Sequence, residues 1–168
     1  MRTISNSDKV IDSRDIIARV QELKEERDAL KEAIDEATEA VKEAMEAKDG
    51  ADNQAPDADF DTANELDERT ATLEDCKVDL AAWDEENGDE FKALKEIDDE
   101  SPGDDWRYGS TLIHEDYFVE YCQELCHDIG DVPKDMPHYL VIDWDKTADN
   151  LRMDYSEVDY DGQTYLVR

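Results

Sequence analysis

The chain has 168 residues, a length for one domain or two small ones, and sets 49 acidic against 18 basic side chains, for a formal net charge of -31. That balance argues against nucleic acid and anionic lipid as direct partners, because both are held by clustered Lys and Arg. Hydrophobic residues still make up 39%, with three Trp, seven Tyr and three Phe, so the sequence can build a core and is not an acidic disordered tail.

Residues 1–13 lack the apolar core of a secretory signal, and no stretch approaches the ~20 apolar residues of a membrane span. Cys76, Cys122 and Cys126 match no disulfide framework. These features predict a cytoplasmic protein with free thiols.

From Ile16 the apolar positions run through Val20, Leu23, Leu30, Ile34, Ala37, Val41 and Ala44 in alternating steps of three and four, a heptad seam interrupted by Arg27. Asp12 or Ser13 can cap its start and Asp49-Gly50 ends it, which predicts a helix over 13–48. At about 1.5 Å per residue such a helix is too long to bury its own stripe and needs a second one. After a polar connector, Gly50 to Asp59, the pattern resumes at Phe60, Ala63, Leu66, Thr70, Leu73, Leu80 and Trp83, with Lys77 on a seam position. It weakens at Asn87-Gly88, where a kink is expected, and continues through Phe91, Leu94 and Ile97. The expected architecture is an antiparallel helical hairpin, 13–48 against 58–99, with Arg27 and Lys77 each meeting a carboxylate of the facing helix. A homodimeric coiled coil would bury the same heptads.

Ser101-Pro102-Gly103 breaks the helix and divides the chain into a hairpin, 1–103, and a small acidic α+β unit, 104–168. The second unit is expected to hold a short strand within Trp106 to His114 and a helix from Glu115 to Ile129 stopped by Gly130. A helix from Asp143 to Leu151 and a hairpin around Asp161-Gly162 should follow. Its aromatic residues, Trp106, Tyr108, Tyr117, Phe118, Tyr121, Trp144, Tyr155, Tyr160 and Tyr165, are its expected core. The fold class is therefore α+β, a coiled-coil-like hairpin followed by a small unit ending in a β-hairpin.

The charge is unevenly divided: residues 1–48 net -4, residues 49–103 net -16 and residues 104–168 net -11. A nearly balanced first helix beside a strongly acidic second one suggests an organised face. Duplex DNA carries one phosphate charge per about 1.7 Å of axis, so 31 negative charges match ~50 Å of duplex, close to the expected hairpin length. Such a rod predicts mimicry of DNA toward a basic DNA-binding surface. The contributing acids are Asp57, Asp59, Asp61, Glu65, Asp67, Glu68, Glu74, Asp75, Asp84, Glu85, Glu86, Asp89, Glu90, Asp98, Asp99, Glu100, Asp104 and Asp105.

In the second unit, Trp106-Arg107-Tyr108-Gly109, Leu112-Ile113, Tyr117 to Tyr121, Asp128-Ile129-Gly130, Ile142-Asp143-Trp144, Ala148, Leu151, Asp154-Tyr155 and Val158 to Tyr165 resemble small acidic proteins of bacteriophages and mobile elements. The helix with Ala148 and Leu151, the step at Asp154-Tyr155 and the terminal hairpin are similar to the C-terminal end of ArdA-type antirestriction proteins. The resemblance implies counter-defence in a host cytoplasm by occupation of a restriction-modification complex. Cas effectors, recombination nucleases and nucleoid proteins are other targets of that kind. The competing reading is a phage assembly protein whose acidity serves solubility.

Other chemistry is less well supported. Asp57, Asp59, Asp61 and Glu68 imitate a calcium loop, but Thr62 stands where that loop needs glycine. Cys122 and Cys126 with His114, His127 or His138 lack the C-x2-C spacing of a zinc site. Cys126 and His127 are adjacent and would point apart on a helix, and no nucleotide or hydrolase motif is present. The sequence thus predicts a binding protein without cofactor, metal or catalytic residues.

Overall fold

The computed structural model describes residues 4–51, 56–100, 105–133 and 135–168, with the backbone alone at 50, 51 and 56–62. Two long helices, α1 (Ser13–Ala51) and α2 (Pro56–Asp99), form the expected antiparallel hairpin. Both extend into the predicted polar connector. Proline suits the first turn of α2, where its missing N–H would have no helical partner. Asp12 caps α1, its Oδ1 accepting from the Arg14 amide at 2.9 Å, and hydrogen bonding to Arg14 holds its carboxyl below the usual range. No break occurs at Gly88: α2 passes through it as continuous helix, and Asn87 Nδ2 donates to the Trp83 carbonyl.

Beyond the hairpin lie the single turn α3 (Trp106–Gly109), strand β2 (Thr111–His114), a 3₁₀ turn (Glu115–Tyr117), α4 (Phe118–Asp128), α5 (Trp144–Arg152), β3 (Ser156–Tyr160) and β4 (Gln163–Val167). Asp143 caps α5 by accepting from the Lys146 amide, and Asp161 and Gly162 take positive φ in the β3–β4 turn, as an Asp-Gly hairpin requires. The predicted first strand is thus preceded by a helical turn, and Ser101 to Asp104, the expected break, fall outside the described residues.

A fourth strand comes from a segment to which the sequence reading assigned no element. Strand β1 (Val10–Asp12) pairs antiparallel with β2, giving the order β1-β2-β4-β3, antiparallel throughout. One sheet face packs Ile113 and Leu166 against Phe118, Cys122 and Ala148 of the helices, with Leu151 and Tyr155 at the margin. The other face carries Ile11, Leu112, Tyr165 and Val167, all buried. Residues before β1 are tied to it: the Tyr160 hydroxyl donates to the Ile4 carbonyl, and that of Tyr165 lies within hydrogen-bonding distance of the carbonyls of Asn6 and Asp8.

The chain therefore forms two compact units interleaved in sequence: residues 1–20 with 92–168, and residues 21–91. Both long helices contribute to each unit, so the compact units do not follow a division of the chain at 103. In the first unit Ser13 is fully buried. Its hydroxyl donates to the Trp106 carbonyl at 2.7 Å and accepts from the Ser110 amide at 2.7 Å. Trp106 is buried with its Nε1 donating to Asp98, whereas Tyr108, an expected core residue, is 82% exposed. One turn of helix places the two aromatic residues on different sides.

Two predictions follow from this packing. Ser13→Ala leaves a buried amide and a carbonyl without their side-chain partner and should lower unfolding free energy by ~1–3 kcal/mol in a urea titration. Tyr117, pushed up to about 12 by its hydrogen bond to Glu124, and Tyr155 and Tyr165, pushed up to about 12 by burial, all disfavour the phenolate in the folded state. Stability should therefore be intact below the ordinary tyrosine value near 10 and fall as pH rises from 10 to 12. Urea midpoints across that interval check the sign.

Candidate functional site

The unit of residues 21–91 is a helical hairpin whose facing pairs set its register. Glu26 accepts from Trp83 Nε1 at 3.1 Å and Arg27 pairs with Asp84 at 3.1 Å. Further along, Arg69 donates to the Ala40 carbonyl at 2.9 Å and lies 3.7 Å from Glu43. Numbers rise on one helix as they fall on the other, which is the antiparallel arrangement.

The two charged interruptions of the seam behave differently. Arg27 meets a carboxylate of the facing helix as expected, and its guanidinium lies 5.8 Å from the ring centroids of both Trp83 and Phe91. Its Nε is buried and has no hydrogen-bond partner among the described residues. Lys77, expected to cross the seam, instead pairs with Glu74 on its own helix at 2.9 Å. The cross-seam cation in that half of the hairpin is Arg69, whose i,i+4 relation to Glu65 does not single it out in the sequence.

The predicted contributors to the acidic face divide by their partners. Asp57, Asp59 and Asp61 lie in the first turns of α2, where the backbone is helical; the calcium-loop spacing there therefore does not form a loop. Their side chains and Asp104 fall outside the described residues. Glu65, Glu74, Asp84 and Asp99 are paired with Arg69, Lys77, Arg27 and Lys95, and Asp98 accepts from Trp106. Glu90 is half-buried. That leaves Asp67, Glu68, Asp75, Glu85, Glu86, Asp89, Glu100 and Asp105 exposed and without an ion pair among the described residues. Asp79, absent from the sequence-based set, joins them.

Four of these nine, Asp79, Glu85, Glu86 and Asp89, fall on one part of α2. Between Lys77 and Lys92 the sequence places six acids and no base. By helical periodicity Glu85 and Asp89 stand opposite Trp83, Asp75 lies about a quarter turn from it, and Asp79 and Glu86 lie one helical turn away, nearer its own side. Residues 21–91 together carry 26 acids and seven bases, a net of -19. Spread over a hairpin of roughly 50 Å, that is one net charge per ~2.6 Å, between the spacing of a single DNA strand at about 3.4 Å and of duplex at about 1.7 Å.

Elsewhere, Cys122 is buried, and that burial pushes its thiol up to about 11, the opposite of an activated nucleophile. Among the described residues no three His, Cys, Asp or Glu side chains gather as a metal ion would require, and no helix is long and apolar enough to cross a membrane. No family model, curated protein or solved structure matches the chain. What fold and surface define is an acidic helical hairpin continuous with a four-stranded α+β unit.

If ring contact rather than the ion pair is what Arg27 supplies, removing its partner will cost little. Asp84→Asn should change unfolding free energy by less than ~1 kcal/mol, since the pair is between one-third and two-fifths exposed. Arg27→Ala should cost more, because its stem and planar head leave Trp83 and Phe91 uncovered. Paired urea titrations of the two variants decide it.

Proposed function

We propose that the protein is a binding protein that presents the acidic face of α2 to the basic DNA-binding surface of another protein and excludes DNA from it. The observation that carries this reading is the exposed set Asp75, Asp79, Glu85, Glu86 and Asp89, which has no ion pair among the described residues on a helix without Lys or Arg from 78 to 91. Unneutralised carboxylates held rigidly at helical spacing repel one another and cost stability. A surface of this kind favours a cationic partner through long-range steering and release of that partner's counterions. The resemblance of 106–168 to ArdA-type antirestriction proteins favours a restriction-modification complex as the target, and with it a counter-defence role.

Homotypic assembly through the hairpin is the second reading, favoured by Met45 and Val78, which are exposed on it. The two readings differ in their response to salt. Mimicry predicts that a partner captured from a bacterial lysate is released steeply with salt and displaced by duplex DNA. Assembly predicts retention of the protein itself, insensitive to both.

Glu85→Lys, Glu86→Lys and Asp89→Lys combined should leave the melting temperature nearly unchanged, since all three side chains are exposed, and weaken capture of that partner at least tenfold. Capture unchanged by the triple variant, or by duplex DNA, would overturn the reading.

A further inference from the structure

In the unit of residues 1–20 with 92–168, the loop between α4 and α5 leaves an apolar groove of about 720 Å³, lined among others by Val132, Met136, Leu140, Val141, Ile142 and Trp144. Part of its lining, Leu140-Val141-Ile142, continues an apolar run that begins at Tyr139, and in that run Tyr139 is 73%, Leu140 53% and Val141 90% exposed. Three successive exposed apolar residues are costly to leave in water, most of all in a chain where 40% of residues are charged. His127 also lines it, edge-on to the Trp144 ring at 5.8 Å. Trp144 is half-buried and lines the groove with an aromatic ring, the kind of side chain that anchors an interface.

Among the described residues from 128 to 145 the charged side chains have one sign. Asp128, Asp131, Asp135, Asp143 and Asp145 are all exposed around this loop, and across 128–145 the sequence has Lys134 as its single Lys or Arg. Asp143 is the one of these five with an ion pair among the described residues, to Lys146 at 2.7 Å. An apolar floor within a carboxylate rim selects an occupant that is apolar in the middle and cationic at its edges. A second copy of this chain would set the same five carboxylates against themselves and bring together two chains of net charge -31. An anionic lipid surface or a nucleic acid meets the same repulsion.

We propose that this groove docks a short amphipathic segment of the partner protein, its apolar side chains seated on Leu140, Val141 and Trp144 and its flanking Lys and Arg facing the aspartates. The proposal rests on the reading of the partner as a basic protein and adds to it a short-range apolar anchor. Charge on α2 attracts any polycation, whereas the groove discriminates by shape and burial. Peptide recognition of this kind is read as anchors at i, i+3, i+4 and i+7 of a helix.

The test uses the full chain and two fluorescein-labelled peptides of about four helical turns, followed by fluorescence anisotropy. One peptide has Leu at i, i+3, i+4 and i+7 and Lys elsewhere; the other has Gln in place of Leu and the same Lys. The Leu-containing peptide should bind at least ~10-fold more tightly, the margin expected from burying one or two apolar side chains. Leu140→Ser with Val141→Ser should abolish that margin and leave the Gln peptide unaffected. Both positions are exposed, and circular dichroism checks that the variant folds.

Equal affinity for both peptides, or a margin that survives in the double variant, would overturn the docking site while leaving the acidic face of α2 and its competition with DNA untouched. Wild-type self-association in sedimentation that the double variant abolishes would overturn it in favour of a homotypic interface. Binding of neither peptide would remove the groove and the basic-partner reading together.

Discussion

Mutual repulsion of 31 excess negative charges is the constraint within which every other contact in this protein operates. A hairpin of two helices can bear it when an apolar seam runs along it and when cations reach some of the carboxylates across that seam. Arg27 and Arg69 meet the second need. Each reaches the facing helix, one to a carboxylate and the other to a backbone carbonyl. Arg27 also covers two aromatic rings, so that its charge and its packing act on the same side chain. Salt at physiological strength screens repulsion between exposed carboxylates more than it screens these partly buried contacts, which allows the fold to keep the acidic face.

The unit made of 1–20 with 92–168 meets the same constraint differently. Its sheet is short but covered on both faces, by α4 and α5 on one and with a second buried set on the other. The N-terminal segment supplies an edge strand and accepts hydrogen bonds from tyrosine hydroxyls of the hairpin strands. Those two tyrosines are buried, whereas Tyr139, Leu140 and Val141 are exposed in succession in the α4–α5 loop. Under the proposed function the surface offers two kinds of recognition, long-range charge on α2 and short-range apolar burial in the α4–α5 loop. On that proposal the first would govern how fast a basic partner arrives, and the second how long a suitable one stays.

How far the sequence could be read depended on the range of the interactions involved. The heptads of 16–44 and 60–97, the Asp143 cap and the Asp161-Gly162 turn are local patterns, each tied to a helical period or a backbone conformation that few residues adopt. They predicted the hairpin, α5 and the β3–β4 hairpin. Strand β1 was not legible, because three residues pairing with a strand about a hundred positions later leave no periodicity behind. Lys77 misled for a related reason: heptad position gives the side a lysine starts from, but a flexible stem and a nearby Glu74 determine where its charge ends.

The acidic face shows the same division. Net charge, its concentration in 49–103 and the base-free stretch from 78 to 91 are properties of the sequence alone, and the proposal of a cationic partner rests on them whatever the fold. Which carboxylates remain unneutralised was decided by tertiary structure. Asp84 is paired by a cation from α1, Asp98 is taken by Trp106, and Asp79 emerges exposed without having been singled out. The physical reason is reach: a side chain's charge is fixed by its own chemistry, but whether that charge is paired depends on groups brought within a few ångströms by folding.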